Sequence, residues 1–326
     1  MENPGIRYFH SDALSNEAAD FQKQLYENRV KGLFVSVMAN SVDPTLLKQL
    51  AGMDNITTAA PIPQSLSDLC AITTDLAKNR TVWTLTPRNA PSGKVIFYLH
   101  GGGYVMNITS RHWVFLEDLC RHTHATIVIP DYPLAPASTW EDVYACVETA
   151  YGRLVETIAS DQVVVMGDSA GGGLCLGLVQ KLRNDGRPLP EQVIVLSPWL
   201  DVTVSNPAMD AIDDRDHLLG TRGLVQAGQA YAGTTDLRDF RISPIYGSFS
   251  DFPPLSIFQG THDIFLADSQ KLVARLEQEN RPINYFEFQA QCHVWAIFPL
   301  PEAQVASNLM ATLVNGQPII LPDNKG

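Results

Sequence analysis

Ser169 stands at the centre of the pattern Gly167-x-Ser169-x-Gly171, between two segments of different character. The apolar run Val163–Met166 before it predicts a buried strand, and the apolar run Leu174–Leu178 after it predicts a helix. A turn this tight leaves room only for very small residues two positions before and after the serine, and it strains the serine backbone. A glycine-rich loop could match the pattern by chance, but the flanking strand and helix favour a nucleophilic serine.

Two residues downstream could supply the base and the orienting acid that a serine hydroxyl needs. Asp263 follows the predicted strand Leu255–Gln259, and His293 follows the predicted strand Ile283–Phe288. Groups that lie beyond the carboxyl ends of parallel strands meet at one edge of the sheet. We therefore predict a catalytic triad of Ser169, Asp263 and His293, in the chain order that accompanies this kind of turn.

Three other residues compete for roles in such a site. His262 could be the base, but it adjoins Asp263, and neighbouring side chains normally point apart. Asp268 could replace Asp263, although a carboxylate in the first turn of a helix also suits the helix dipole. His217 lies in a segment of irregular pattern and could at best contact substrate.

The run His100–Gly103 directly follows the predicted central strand Lys94–Leu99. Successive glycines let backbone N–H groups approach a ligand, and acyl transfer requires donors for the negative carbonyl oxygen. We expect the amides of Gly102 and Gly103, together with that of Ala170, to form this oxyanion hole. His100 is expected to anchor the loop.

Alternating strand and helix patterns from about residue 66 onward predict a mostly parallel sheet covered by helices on both faces. Two segments depart from this alternation. Residues 1–60 show helical patterns over Glu17–Val37 and Pro44–Met53 and no strand signal, and residues 201–250 show only a helix over Thr221–Ala232. The second segment has the character of an insertion above the sheet.

With these motifs in view, residues 80–315 resemble the hormone-sensitive-lipase, or GDXG, carboxylesterases of the α/β-hydrolase superfamily. The resemblance rests on runs around the predicted site: His100–Tyr104, Asp131–Tyr132 with Leu134–Pro136, Gly167–Gly172, Ser197–Asp201, Gly260-x-x-Asp263 and His293. It implies an α/β-hydrolase core at 61–200 and 251–326 and a helical cap at 1–60 and 201–250. It also implies that Asp168 is structural, that acyl groups are short and that a homodimer can form.

The sequence departs from the family pattern at two places. Pro133 and Ala137 stand where the family usually has charged residues, which suggests a missing structural ion pair. Val294–Trp295 follows the histidine where the family often has glycine and phenylalanine, which would alter the pocket wall. Three aromatic residues near the expected active face could line the acyl or alcohol pocket: Tyr104, Trp113 and Trp199.

Composition limits the partners and cofactors. The formal charge of −12 disfavours nucleic acid and anionic membranes, and no H-E-x-x-H motif or Cys/His metal cluster occurs, so no cofactor or metal is expected. Five widely spaced cysteines and no visible signal segment predict a cytoplasmic protein with free thiols. The predicted activity is hydrolysis of short-acyl carboxylic esters. The alternatives are an amidase or deacetylase with the same triad, or a non-catalytic small-molecule binder on the same fold.

Overall fold

The structure is a computed structural model that describes residues 5–38 and 56–321. Nine strands of these residues form one sheet, in the order β1-β9-β8-β7-β6-β4-β5-β3-β2. The strands are β1 (Arg7–His10), β2 (Cys70–Ala77), β3 (Arg80–Pro87), β4 (Val95–Leu99), β5 (Thr126–Pro130), β6 (Val163–Asp168), β7 (Gln192–Leu196), β8 (Leu255–His262) and β9 (Ile283–Cys292). The strands from β4 to β9, and β1 against β9, pair in parallel, whereas β2 and β3 join antiparallel at the other edge.

The described residues also form ten α-helices, which alternate with the strands over most of the chain. They are α1 (Asn16–Glu27), α2 (Val30–Met38), α3 (Gln64–Leu69), α4 (Ser110–Thr123), α5 (Trp140–Thr157), α6 (Ser169–Asn184), α7 (Asp210–Asp213), α8 (Thr221–Ala232), α9 (Leu266–Gln278) and α10 (Pro301–Val314). Short 3-10 turns lie at Ser160–Gln162, Pro207–Met209, Pro244–Tyr246 and Trp295–Ile297. Within the described ranges, no helix combines the length and apolar character that a membrane crossing requires.

The centre of the sheet is buried on both faces. Every residue of β4 and of β6 is buried, as expected for parallel strands that are covered by helices on each side. Strands β4, β6, β8 and β9 run in the same direction. Their carboxyl ends therefore lie at one edge of the sheet, where the loops after them come close together. All five cysteines are buried and free.

The predicted fold class is confirmed, and the predicted strands before β8 agree with the structure to within two residues. Strands β8 and β9 extend further than predicted, to His262 and Cys292. The prediction that residues 1–60 contain no strand is wrong, because Arg7–His10 forms the edge strand β1 beside β9. This strand has only four residues, two of them polar, which is too short to show the alternation of apolar and polar residues that indicates a strand. The helical pattern at Glu17–Val37 is two helices, broken where Arg29 has a φ of 53°. The helix predicted at Pro44–Met53 lies outside the described residues.

The N-terminal segment contacts the 201–250 segment. Helix α2 packs against α8, and the Lys31 ammonium lies 3.0 Å from the Asp213 carboxylate. The N-terminal segment is also tied to the core, since Ser15 donates its backbone N–H and its hydroxyl to Glu302 at 2.7 and 3.0 Å. The division into a core and a two-part cap stays a prediction.

Candidate active site

Ser169 occupies the turn between β6 and α6 with a φ of 51°, in the left-handed region that L-residues avoid. The neighbouring glycines are required by close backbone contacts. A Cβ on Gly167 would lie 2.5 Å from the Leu99 carbonyl oxygen, and a Cβ on Gly171 would lie 2.0 Å from the same atom. The requirement for minimal residues on either side of the serine therefore comes from the end of β4, which passes directly beneath the turn.

Ser169, His293 and Asp263 form one hydrogen-bonded chain. The Ser169 Oγ lies 2.9 Å from His293 Nε2, and His293 Nδ1 lies 3.0 Å from Asp263 Oδ2. A carboxylate only accepts hydrogen bonds, so Nδ1 carries the proton and Nε2 is free to accept from the serine hydroxyl. All three side chains are buried.

The Asp263 carboxylate is itself held from two sides. Its Oδ1 accepts the Phe265 backbone N–H at 2.9 Å, and its Oδ2 accepts from the Gln259 side-chain amide at 2.9 Å. The Gln259 amide oxygen in turn accepts the Ser269 hydroxyl at 2.7 Å. This network fixes the edge of the carboxylate that faces His293.

The electrostatic surroundings favour the protonated form of His293. Burial by itself lowers the pKa of this imidazole, but the negative charges of Asp263, Asp216 and Asp168 and the hydrogen bond that His293 donates to Asp263 outweigh it, so that the pKa is raised. A base with a raised pKa accepts the serine proton more readily, provided that the pH is high enough to keep it neutral.

The loop after the histidine is attached to the neighbouring strand end. The Val294 N–H donates to Ser197 Oγ at 3.1 Å. The segment that carries Ser197 is in turn attached to the serine turn, since the Trp199 N–H donates to the Ser169 carbonyl at 2.9 Å. Val294 faces the cavity beside the base, as its departure from the family pattern suggests. Trp295 is buried and packs against Phe288.

Two of the three expected oxyanion donors, Gly102 and Gly103, lie on a loop whose positive φ angles favour glycine. Gly102 has a φ of 121°, and a Cβ there would lie 2.4 Å from the Met106 carbonyl oxygen. Within the described residues, neither the Gly102 nor the Gly103 amide donates to a protein acceptor. The Ala170 amide lies in the first turn of α6, where N–H groups have no acceptor within the helix. The assignment of these three amides to an oxyanion hole stays a prediction.

Asp168 connects this loop to the serine turn. Its Oδ1 accepts the Gly101 N–H at 2.9 Å and the Tyr98 hydroxyl at 2.6 Å, and its Oδ2 lies 3.4 Å from His112 Nε2. His112 Nδ1 accepts the Thr109 N–H, so Nε2 carries the proton that faces the carboxylate. Burial would raise the pKa of Asp168, but the His112 contact and the donated hydrogen bonds lower it overall.

His100 behaves as the expected anchor of the same loop. Its ring stacks on Tyr132 with centroids 4.3 Å apart, and its Nδ1 contacts the Gly101 carbonyl at 2.7 Å. Burial lowers the pKa of His100 to about 3, which keeps the ring neutral.

A cavity of about 110 Å³ opens at Ser169. Its wall carries large side chains from segments that are far apart in sequence: Phe34, Met106, Leu218, Leu219, Ile297 and Phe298. It adjoins a wider cavity of about 600 Å³ toward α1 and α2. No spacing in the sequence indicated these wall residues, because they need only be apolar and large.

The prediction that Tyr104, Trp113 and Trp199 line this pocket is corrected by the structure. Tyr104 stacks on Tyr231 at 3.6 Å, Trp199 stacks on Phe265 at 5.8 Å, and Trp113 donates its Nε1–H to the Ala60 carbonyl. All three are essentially buried, and none belongs to the described wall of the cavity. Their aromatic character serves packing.

The competing residues stand apart from the serine. His262 Nδ1 faces the Gln22 side chain at 3.4 Å, and the His217 ring packs on Tyr26. Asp268 accepts from the Asn206 amide at 2.8 Å, and within the described ranges it makes no hydrogen bond with His293. Among residues 5–38 and 56–321, no three His, Cys, Asp or Glu side chains are grouped as metal ligands would be.

Comparison with known proteins agrees with this geometry. A family described as having the alpha/beta hydrolase fold matches residues 96–297. The chain belongs to this family. The predicted fold class and the resemblance to esterases of this superfamily are thereby confirmed.

Individual relatives have the same character. An esterase of Acinetobacter venetianus is 28% identical over 67% of this chain and 73% of its own length. An acetyl-hydrolase of Streptomyces hygroscopicus is 30% identical over 66% of this chain and 73% of its own length. The solved structure of an esterase/lipase from an uncultured bacterium is 25% identical, with a TM-score of 0.77 over 93% of this chain and 99% of that one. These relatives are carboxylic ester hydrolases, and at that level the predicted enzyme class is confirmed.

Proposed function

We propose that the protein is a serine carboxylesterase that hydrolyses short-acyl esters through Ser169, His293 and Asp263. The observation that carries the proposal is the continuous chain of contacts from Ser169 Oγ to His293 Nε2 at 2.9 Å and from His293 Nδ1 to Asp263 Oδ2 at 3.0 Å. A buried hydroxyl in contact with an oriented imidazole is a nucleophile with its base in place.

The reaction follows from these positions. Ser169 Oγ attacks the ester carbonyl carbon while its proton passes to His293 Nε2, and Asp263 stabilises the imidazolium that forms. The amides of Gly102, Gly103 and Ala170 bind the negative oxygen of the tetrahedral intermediate. His293 then protonates the leaving alcohol, and the bond from carbon to the alcohol oxygen breaks. Water then attacks the acyl carbon while its proton passes to His293. His293 returns this proton to Ser169 Oγ as the bond from carbon to Oγ breaks, which releases the acid and the free enzyme.

The small cavity supports the preference for short acyl chains. About 110 Å³ beside Ser169 is bounded by large side chains, Phe34 and Phe298 among them, so a long chain has little room there. The wider adjoining cavity of about 600 Å³ provides an alternative place for a longer acyl group. An acyl-length series therefore tests this part of the proposal separately from the chemistry.

The test uses the purified protein with 4-nitrophenyl acetate, butyrate and octanoate and with 4-nitroacetanilide. We expect the acetate or butyrate to have the highest kcat/KM, the anilide to react much more slowly, and Ser169→Ala to lose at least about 10⁴-fold in kcat. A phosphonate inhibitor should add its mass to the wild type but not to the variant. Faster cleavage of the anilide would favour an amidase, and equal ester turnover by Ser169→Ala would overturn the proposal.

A further inference from the structure

Asp216 is a buried carboxylate that the reaction sequence above does not use. It lies between α7 and α8, is 1% exposed, and has no ion-pair partner in the part of the chain that the structure describes. Its charge is solvated instead by three backbone donors. Its Oδ1 accepts the Leu218 and Leu219 N–H groups at 2.8 Å each, and its Oδ2 accepts the Ile264 N–H at 2.9 Å.

These donors belong to two different parts of the active site. Leu218 and Leu219 line the cavity at Ser169, whereas Ile264 directly follows Asp263. One carboxylate therefore joins the cavity wall to the loop that carries the triad acid. Such a link fixes the wall at a set position relative to the His293–Asp263 pair.

We propose that Asp216 is a positioning residue of this esterase, which anchors the Leu218–Leu219 wall to the Asp263 loop and adds a negative charge to the surroundings of the His293 imidazole. This inference rests on the proposed function. Asp216 touches neither substrate nor the reacting atoms in this role, and it acts through Leu218, Leu219 and Ile264.

The titratable groups that face Asp216 are Asp263, His293 and Cys292. Burial, followed by the negative charge of Asp263, raises the pKa of Asp216 to about 6, against the opposing effect of His293. The Cys292 thiol stays neutral because burial raises its pKa. In return, the Asp216 charge supports the raised pKa of His293, together with Asp263 and Asp168.

The sign of the expected effect follows from the role of the base. His293 acts when it is neutral, so kcat/KM falls as the pH drops through its pKa. Asp216→Asn removes a negative charge that favours the imidazolium, so the pKa of His293 falls and the acid limb moves to lower pH. The asparagine side chain has only one oxygen to accept hydrogen bonds. Either the Leu218 and Leu219 N–H groups or the Ile264 N–H group then faces its NH₂ group.

The experiment is the pH dependence of kcat/KM for the butyrate ester, with active sites counted by phosphonate titration so that misfolded protein is left out. We expect Asp216→Asn to move the acid limb to lower pH and to lower kcat/KM above the limb by about 10-fold, with a raised KM. Asp216→Glu keeps the charge, so its limb should stay near the wild-type pH while its KM rises. The matched control is Asp268→Asn, because Asp268 is buried and has a pKa raised to about 6, chiefly by burial, but does not face His293.

A merely structural role would lower the fraction of active protein and leave the limb in place. An unmoved limb in Asp216→Asn, or an equal displacement in Asp268→Asn, would overturn the inference. If Asp216→Asn does not fold, Asp216→Glu decides, since a limb displaced to lower pH in that variant contradicts the role of the charge. Failure of the proposed function itself would appear elsewhere, as the absence of Ser169-dependent ester turnover in the wild type.

Discussion

The floor and the roof of the active site are built in different ways. The floor consists of Ser169, the loop after β4, and the Asp263 and His293 side chains that directly follow β8 and β9, held together by backbone contacts and by buried hydrogen bonds such as that between Gly101 and Asp168. The roof consists of apolar side chains contributed by α2, by the 201–250 segment and by the Trp295–Ile297 turn. The floor requires particular residues, whereas the roof requires only bulk in the right place.

This difference separates chemistry from selectivity. In the floor, a methyl group on Gly171 would overlap the Leu99 carbonyl, so the residue type follows from geometry. In the roof, Leu219 could be replaced by another apolar residue of similar size at small cost. We therefore expect changes in the floor to abolish turnover or folding, and changes in the roof to alter which ester is preferred.

The largest expected effect separates the two histidines near the acid. His293→Ala should lower kcat for the butyrate ester by at least about 10⁴-fold, because the serine loses its base, while His262→Ala should leave kcat within about threefold. His262 faces Gln22 and not the serine, so His262→Ala, which removes the same side-chain atoms, is the control. Steady-state kinetics of both variants measures the difference. Loss of activity in His262→Ala with activity retained in His293→Ala would reverse the assignment of the base.

The second prediction compares one glycine from each region. Gly171→Ala places a Cβ 2.0 Å from the Leu99 carbonyl oxygen, so we expect it to lower the free energy of unfolding by about 3 kcal/mol. Gly32→Ala, in α2, meets no described atom within 4 Å and should raise the free energy of unfolding by about 1 kcal/mol through helix propensity. Urea unfolding followed by fluorescence tests both variants. Equal destabilisation by the two substitutions would contradict the distinction.

The same difference explains which elements could be predicted from the sequence. Buried strands such as Val163–Asp168 are visible because they begin as a continuous apolar run, and helices such as Thr221–Ala232 because their apolar residues recur at helical spacing. The edge strand Arg7–His10 is too short to show a repeat. The polar edge strand Cys70–Ala77 has four consecutive exposed residues and pairs through its backbone, which leaves little mark on the side-chain pattern.

The site divides along the same line. Ser169, Asp263 and His293 follow from chain order and strand ends, and the structure brings them into contact. Asp216 could not be found, because it stands in an aspartate-rich segment where nothing distinguishes a buried carboxylate from a solvated one. The wall residues were missed because contact among distant segments depends on the whole tertiary arrangement, and the aromatic residues chosen in their place pack in the core.

A change in the roof should have a smaller effect, on preference. Leu219→Ala enlarges the cavity, so we expect the ratio of kcat/KM for octanoate to that for butyrate to rise by about 10-fold, since added methylenes gain contacts in a widened apolar pocket. Leu224→Ala is the control, because Leu224 is buried in α8 but lies outside the described wall of the cavity. Competition assays with both esters measure the ratio. An equal rise in Leu224→Ala would show that loosened packing, not cavity size, changes the preference.

The smallest effect concerns the electrostatics of the floor. The raised pKa of His293 places the acid limb of the wild-type kcat/KM profile above pH 6.5, since activity requires the neutral imidazole. The charges named above as its cause are the buried carboxylates of Asp263, Asp216 and Asp168, and the alternative source is the exposed acidic residues behind the formal net charge of −12. Salt screens exposed charges far more than buried ones, so profiles measured in 0.05 and 0.5 M salt, about 14 and 4 Å in Debye length, distinguish them. We expect the midpoint to stay in place, because the carboxylates that raise the pKa of His293 are buried. A midpoint that moves toward 6.5 at high salt would assign the raised pKa to exposed charges instead.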